Sequence, residues 1–352
     1  MTAIPAARPD IVSLRSYKAG DQVPDTVRLN ANEAPVSADT PALNRYPDVH
    51  PVRLRERLAT LLEVPGRNLL VTRGSSEAID VLIRAWCRAY TNTIVTTPPT
   101  FDMYRVYAEI QGVEITPVSL DDRRDFALDK DALLARCDAT TSVVFICSPN
   151  NPTGSQVPRD DILDIVDSLS GRTLVVVDEA YVEFSSAESL AAVVNEHNNL
   201  VVLRTLSKAH ALAGARCGAA IACEDIIDVM SKVLPPYSFP TPVIESVMAA
   251  LTDERVARAS QAVAAIVAER GRLYERLQQQ ATIEQVWPSE ANFLFAKFQN
   301  LTALRQYLLE RRILIRDFSS QPGLDNCARI TVGTPEENDA LLDALEGYGE
   351  TD

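Results

Sequence analysis

Three short apolar runs in the middle of the chain each end in polar side chains able to do chemistry. Leu200–Arg204 leads into Thr205-Leu206-Ser207-Lys208, Thr173–Val177 into Asp178-Glu179-Ala180-Tyr181, and Ser142–Cys147 into Ser148-Pro149-Asn150-Asn151-Pro152-Thr153-Gly154. Lys208 is the candidate nucleophile, a role that needs a lysine with a shifted pKa. Asp178 is the candidate acid, and Asn150 and Asn151 present two amides at the neighbouring strand end. Taken singly, each has a plain structural reading: a loop lysine is ordinarily solvated, an acid at a strand end often caps a helix, and a Pro/Asn/Gly turn often only reverses the chain. Together they sit at the C-terminal ends of expected parallel strands, where α/β sheets place ligand chemistry.

A second group could hold an anion. Phosphate needs cations and backbone donors. Ser207, the Arg216 of Gly214-Ala215-Arg216-Cys217-Gly218, and Arg73-Gly74-Ser75-Ser76-Glu77 offer hydroxyls, a guanidinium and a helix N-terminus. Serine before a helix mostly serves as a cap, which is the plain reading of Ser75 and Ser76. Arg329 lies in a strand-like run, where an unpaired guanidinium is costly unless it faces an anion.

These residues must be positioned by an alternating framework. From about residue 68 to 223, strand-like runs at Leu69–Thr72, Thr93–Thr97, Val113–Val118, Ser142–Cys147, Thr173–Asp178, Leu200–Arg204 and Gly218–Cys223 alternate with helix-period segments. That pattern predicts an α/β fold with a mostly parallel sheet. Ile79, Leu82, Ile83, Trp86 and Tyr90 recur at helical spacing after Ser75 and Ser76. Beyond Pro235-Pro236 a long helical stretch is expected from about Val243 to Gln280, followed by strands at Asn292–Phe298 and Arg329–Val332. The expected organisation is an arm over residues 1–45 packing on the small domain, a large domain over 46–234 and a small α+β domain over 235–352.

Composition narrows the function classes. The 352 residues are 46% hydrophobic and 23% charged, with a net charge of -14, which repels nucleic acid and anionic lipid. No segment approaches the roughly 20 consecutive apolar residues of a membrane span. Met1 to Asp10 lacks the succession of a secretory signal, so a cytoplasmic location is the expectation. The six cysteines, Cys87, Cys137, Cys147, Cys217, Cys223 and Cys327, lack C-x-x-C spacing and read as buried thiols rather than a disulfide frame or metal site. No G-x-G-x-x-G follows an early strand, which disfavours a dinucleotide enzyme.

The ordered set S-P-N-N-P-T-G, V-D-E-A-Y and T-L-S-K with G-x-R-x-G resembles the fold type I pyridoxal-phosphate enzymes of the aspartate-aminotransferase-like group, over nearly the whole chain. The resemblance implies pyridoxal 5'-phosphate as cofactor, carried as an imine on Lys208, which later shuttles a proton. It implies that Asp178 keeps the pyridine nitrogen protonated, and that Tyr181 and Asn151 hydrogen-bond the phenolic oxygen. Phe101 matches the ring that stacks on the cofactor, while Ser75, Ser76, Ser207 and Arg216 match its phosphate cradle.

Leu29-Asn30-Ala31-Asn32-Glu33, Arg45-Tyr46-Pro47-Asp48, Arg316-Asp317 and Ala328-Arg329-Ile330-Thr331-Val332-Gly333-Thr334 are similar to the histidinol-phosphate aminotransferase family in particular. That likeness implies a homodimer with shared sites, Tyr46 reaching the neighbour's cofactor phosphate. It implies histidinol phosphate and L-glutamate as substrates, with Arg329 holding the phosphate of one or the carboxylate of the other. Arg316 and Tyr17 are further substrate-binding candidates, whose plain readings are a surface ion pair and arm packing. Phe101, His210 and Ala215 depart from the family's usual tyrosine, aromatic and leucine, which leaves aromatic amino acids open as substrates. A threonine-phosphate decarboxylase of the same fold would keep the lysine and the aspartate, with the A-R-I-T-V-G-T match weighing against it. A binding module that holds the cofactor without turnover is disfavoured by the complete catalytic set.

Overall fold

Runs of Val, Ile, Leu and Ala without polar alternation suit strands covered on both faces, and the computed structural model forms them where such runs occur. It describes residues 3–15, 17, 26–35 and 43–349. In chain order the elements are α1 (Pro9–Val12), α2 (Val52–Leu61), β1 (Leu69–Thr72), α3 (Ser75–Trp86), β2 (Thr93–Thr96), α4 (Met103–Gln111), β3 (Glu114–Pro117) and α5 (Lys130–Arg136). They continue with β4 (Thr141–Cys147), α6 (Arg159–Ser168), β5 (Leu174–Asp178), β6 (Leu200–Thr205), β7 (Gly218–Ala222) and α7 (Glu224–Val233). The remainder comprises α8 (Thr241–Ala250), α9 (Asp253–Leu277), β8 (Ile283–Trp287), β9 (Phe293–Phe298), α10 (Leu301–Glu310), β10 (Arg316–Asp317), β11 (Cys327–Thr331) and α11 (Pro335–Gly349).

Among the described residues, the first sheet has seven strands in the order β1-β7-β6-β5-β4-β2-β3, and only β7 runs against its neighbours. Every residue of β4, β5, β6 and β7 is buried. Alternate side chains feed two cores: Val144, Ile146, Val175, Val177 and Val202 join one face, while Val143, Phe145, Leu174, Val176 and Val201 join the other. Helix α3 closes the second face with Ile79, Leu82, Ile83 and Trp86 fully or almost fully buried. A separate antiparallel sheet, β10-β11-β9-β8, packs against α9, α10 and α11 through Leu273, Leu294, Leu304 and Leu342.

Three expectations are corrected. The single helix expected from Val243 to Gln280 is two, because Leu251 is buried at a break and the Thr252 side chain caps the start of α9 by accepting from the Arg255 N–H. Ser75 and Ser76 are not caps: Gly74 holds that position with φ 78°, and the serines begin the helix itself. Residues 4–12 pack on the large sheet's helices rather than on the small domain. Trp86 donates to the Pro5 carbonyl, Arg8 N–H to the Ala85 carbonyl, and Lys232 to the Val12 carbonyl, while Ile4 and Ile11 lie against the α3 core. The rest of the expected arm lies partly outside the described residues.

Candidate active site

Because β4, β5 and β6 are apolar through most of their length, the first polar side chains with chemistry to offer fall where these parallel strands end, on one edge of the sheet. Asp178 closes β5, Asn151 follows β4, and Lys208 follows β6; all three line one cleft of about 480 Å³. Ser75, Ser76, Phe101, Tyr181, Ser207 and Arg216 line it from the segments around the seven-stranded sheet, and Arg316, Phe318, Gln321 and Arg329 from those around the four-stranded one.

Asp178 is 2% exposed. The Tyr104 hydroxyl donates to its Oδ2 at 2.9 Å and the Ala180 N–H to its Oδ1 at 3.2 Å, and no cation is bonded to it among the described residues. Burial pushes its carboxyl up to about 6, against the opposing effect of Tyr104, Ala180 and the Lys208 charge. Tyr104 escaped the sequence reading. It is fully buried and stacked on Phe145 at 4.7 Å, and its only sequence signal is a tyrosine at the start of the helix that follows Pro99-Thr100-Phe101.

Lys208 opens to the cleft, its Nζ 5.3 Å from the centre of the Tyr181 ring. The walls around the ammonium hold its pKa below the usual lysine range, helped by Arg329 and Arg216 and opposed by Asp178. Tyr181 is buried edge-on to Phe293, and burial raises its hydroxyl above the ordinary phenol range. Arg329 donates from Nη1 to the Asn151 Oδ1, leaving the amide hydrogens of Asn151 to donate elsewhere. Its guanidinium lies 5.2 Å from the Phe293 ring and 5.6 Å from Phe318, without a carboxylate partner among the described residues. Arg316 is its cross-strand partner, so the two cations project from adjacent positions of β10 and β11.

At the other end, Arg216 stands at φ 50° and donates from Nη1 to the Ser207 hydroxyl at 3.3 Å and the Ala213 carbonyl at 3.2 Å. Gly74 makes room for it: a Cβ there would meet Arg216 Nη2 at 2.9 Å. The α3 N-terminus, with no side-chain cap and two serine hydroxyls, thus faces a guanidinium that has no carboxylate partner among the described residues. Asn150, by contrast, is structural, bonding Pro99, Thr100 and Thr153.

Two expected site residues lie elsewhere. Tyr46 stacks on Tyr237 at 4.8 Å, and Tyr17 meets Tyr237 edge-on at 6.1 Å, in an exposed aromatic group that does not line the cleft. The Tyr46 segment is fixed by Glu33, which accepts from the Tyr46 N–H at 2.8 Å and from Arg45 at 2.6 Å. His210 faces a separate groove formed with Glu183 and α9, so it is set apart from the cleft.

The class I and II aminotransferase family matches residues 9–345. A histidinol-phosphate aminotransferase from Stenotrophomonas maltophilia is 41% identical over 345 residues, which is 96% of this chain and 95% of that protein. Among solved structures, the histidinol-phosphate aminotransferase from Clostridium acetobutylicum superposes with a TM-score of 0.80 at 24% identity, covering 88% of this chain and 92% of that one. The L-threonine-O-3-phosphate decarboxylase from Porphyromonas gingivalis superposes with a TM-score of 0.75 at 24% identity, over 88% and 91%. The fold is that of the fold type I transferases. The chain belongs to the class I and II aminotransferases, which are pyridoxal-phosphate enzymes.

The residues present fit that cofactor. Among the described residues, a buried carboxylate without a bonded cation lines the cleft, as do two serines at the uncapped α3 N-terminus and a guanidinium without a carboxylate partner. No helix among the described residues is long and apolar enough to cross a membrane.

Proposed function

We propose that the chain is a histidinol-phosphate aminotransferase, exchanging the amino group between histidinol phosphate and 2-oxoglutarate to give imidazole-acetol phosphate and L-glutamate in histidine biosynthesis, in the cytoplasm. The observation that carries this reading is the adjacent pair Arg316 and Arg329, side by side across two strands at one wall of the cleft. A single arginine can hold a carboxylate bidentately, whereas a phosphate dianion can use a second cation. One pocket can therefore serve both substrates. The fold alone does not discriminate, since a decarboxylase shares it; the 41% identical relative over nearly the full chain favours the aminotransferase.

When bound, pyridoxal phosphate supplies the electron sink for the electrons left as the substrate Cα loses its proton. Arg216, Ser207, Ser75 and Ser76 would hold its phosphate, Phe101 would cover its ring, and Asn151 and Tyr181 would donate to its phenolic oxygen. Asp178 would hold a proton at the ring nitrogen, a task suited to a carboxylate buried away from competing water. Lys208 would carry the cofactor covalently. Once released by the incoming amino group, its Nζ would move the proton at the substrate Cα, and its lowered pKa favours the free-amine form that this needs. Arg329, oriented by Asn151, would anchor the substrate's anionic end. Arg316 would add its charge for the phosphate. Tyr17 is the remaining substrate candidate, for which only its contact with Tyr237 next to Tyr46 speaks.

The same reading makes the enzyme a homodimer in which Tyr46 completes the neighbour's phosphate site. Its position outside its own chain's cleft supports that arrangement. The deciding experiment is to load the purified protein with pyridoxal phosphate, convert it with L-glutamate, and follow the absorbance as imidazole-acetol phosphate or phenylpyruvate is added. Recovery with imidazole-acetol phosphate is expected. A preference for phenylpyruvate would assign the enzyme to aromatic amino acids, and carbon dioxide release from threonine phosphate would assign it to the decarboxylases.

A further inference from the structure

We infer that Tyr104 is the positioning residue for Asp178, its hydroxyl fixing the rotation of the carboxylate and keeping it ionised for its work in the cleft. The inference rests on the reading that Asp178 serves the cofactor's ring nitrogen. Two donors on opposite oxygens set the plane of the carboxylate, and of these the Tyr104 hydroxyl is the closer, at 2.9 Å against 3.2 Å for the Ala180 N–H. A bond to an ionised acceptor in a buried setting is stronger than one between neutral groups. Burial favours the neutral acid, and Tyr104 is the largest influence opposing it.

Tyr104 is itself held rigidly. Its ring is parallel to that of Phe145, at 4.7 Å and 10°, within the all-buried β4. It also meets Phe101 edge-on at 5.7 Å and 85°. Phe101 lines the cleft a few residues before Tyr104, so one side chain braces both the carboxylate and the cleft's aromatic wall.

Tyr104→Phe in the full chain keeps both ring contacts and removes the hydroxyl. Carbon-13 aspartate labelling of the cofactor-free protein should place the Asp178 midpoint higher by about one pH unit than in the unmodified chain. In the cofactor-loaded enzyme, kcat should fall about tenfold with KM for glutamate within about twofold, and the acid limb of the kcat profile should move upward. An unchanged Asp178 midpoint overturns the inference. A raised midpoint with unchanged kcat supports the link between Tyr104 and Asp178 and instead refutes the assignment of Asp178 to the ring nitrogen. Should the variant fail to fold, tyrosine-labelled unmodified protein decides: the Tyr104 Cζ resonance must shift with the Asp178 midpoint, and a resonance indifferent to it overturns the inference.

Discussion

Asp178 carries a cost that the protein without its cofactor must bear, and the cost can be measured. Its folded pKa of about 6 lies above the ordinary 3.8. The folded chain therefore binds this proton more tightly than the unfolded chain does. The resulting stability is fully present below 3.8 and is lost as pH rises through about 6. At roughly 1.4 kcal/mol per pH unit, a difference of about two units is worth about 3 kcal/mol. Asp178→Asn lacks this titration, so any fixed effect of the substitution cancels when its pH dependence is compared with that of the unmodified chain. Urea unfolding of both cofactor-free proteins from about pH 3 to about pH 8 should show the unmodified chain losing about 3 kcal/mol relative to the variant. Added pyridoxal phosphate should recover that loss in the unmodified chain and not in the variant, whose turnover should nearly vanish. A difference that stays flat across the range would refute the claim that burial dominates at Asp178.

The other predictions probe the remaining site residues. Borohydride reduction of the loaded enzyme should fix the cofactor to Lys208 in a peptide map, and Lys208→Ala should bind cofactor yet lose transamination by several orders of magnitude; an adduct on another lysine would sink the assignment. Arg329→Ala should weaken glutamate and histidinol phosphate together, by roughly 2–5 kcal/mol. Arg316→Ala should hurt histidinol phosphate more, and equal losses in the two half-reactions would count against the phosphate role. Mixing an inactive Tyr46 variant with an inactive Lys208 variant should restore part of the activity, and absence of rescue after verified subunit exchange would mean that each site is built from one chain.

The strands that carry the site were legible because they are buried on both faces, which leaves apolar runs with polar residues mainly at their ends. Asp178, Asn151 and Lys208 stood out for that reason. β8 was missed because its first residues are half-exposed or exposed, and β10 because a pair of residues leaves no pattern to read. The break before α9 was written in Thr252-Asp253-Glu254, a cap followed by acids, within an otherwise continuous helical texture. Tyr104 was beyond reach, since its importance lies in a contact with a residue on another strand end, which periodicity along one helix does not encode. The arm's docking on α3 and α7 was hidden likewise, because a segment with few apolar residues does not specify which surface receives them.

The net charge of -14 makes the cleft's cations the more telling. Lys208, Arg216, Arg316 and Arg329 line one cavity, where Asp178 is buried and Asp102 is already bound to Arg105. Such a cluster persists in an acidic protein only at the cost of mutual repulsion, and that repulsion has a use. Arg329 and Arg216 are the charges that, after burial, hold the Lys208 pKa down. An anion on either guanidinium offsets its charge and relaxes part of that depression. A phosphate at Arg216 and a substrate carboxylate or phosphate at Arg329 would each make the Lys208 amine a stronger proton acceptor. The lysine would thus gain basicity as the groups it must serve take their places, and before they arrive its ammonium would give up its proton more readily than an ordinary lysine does.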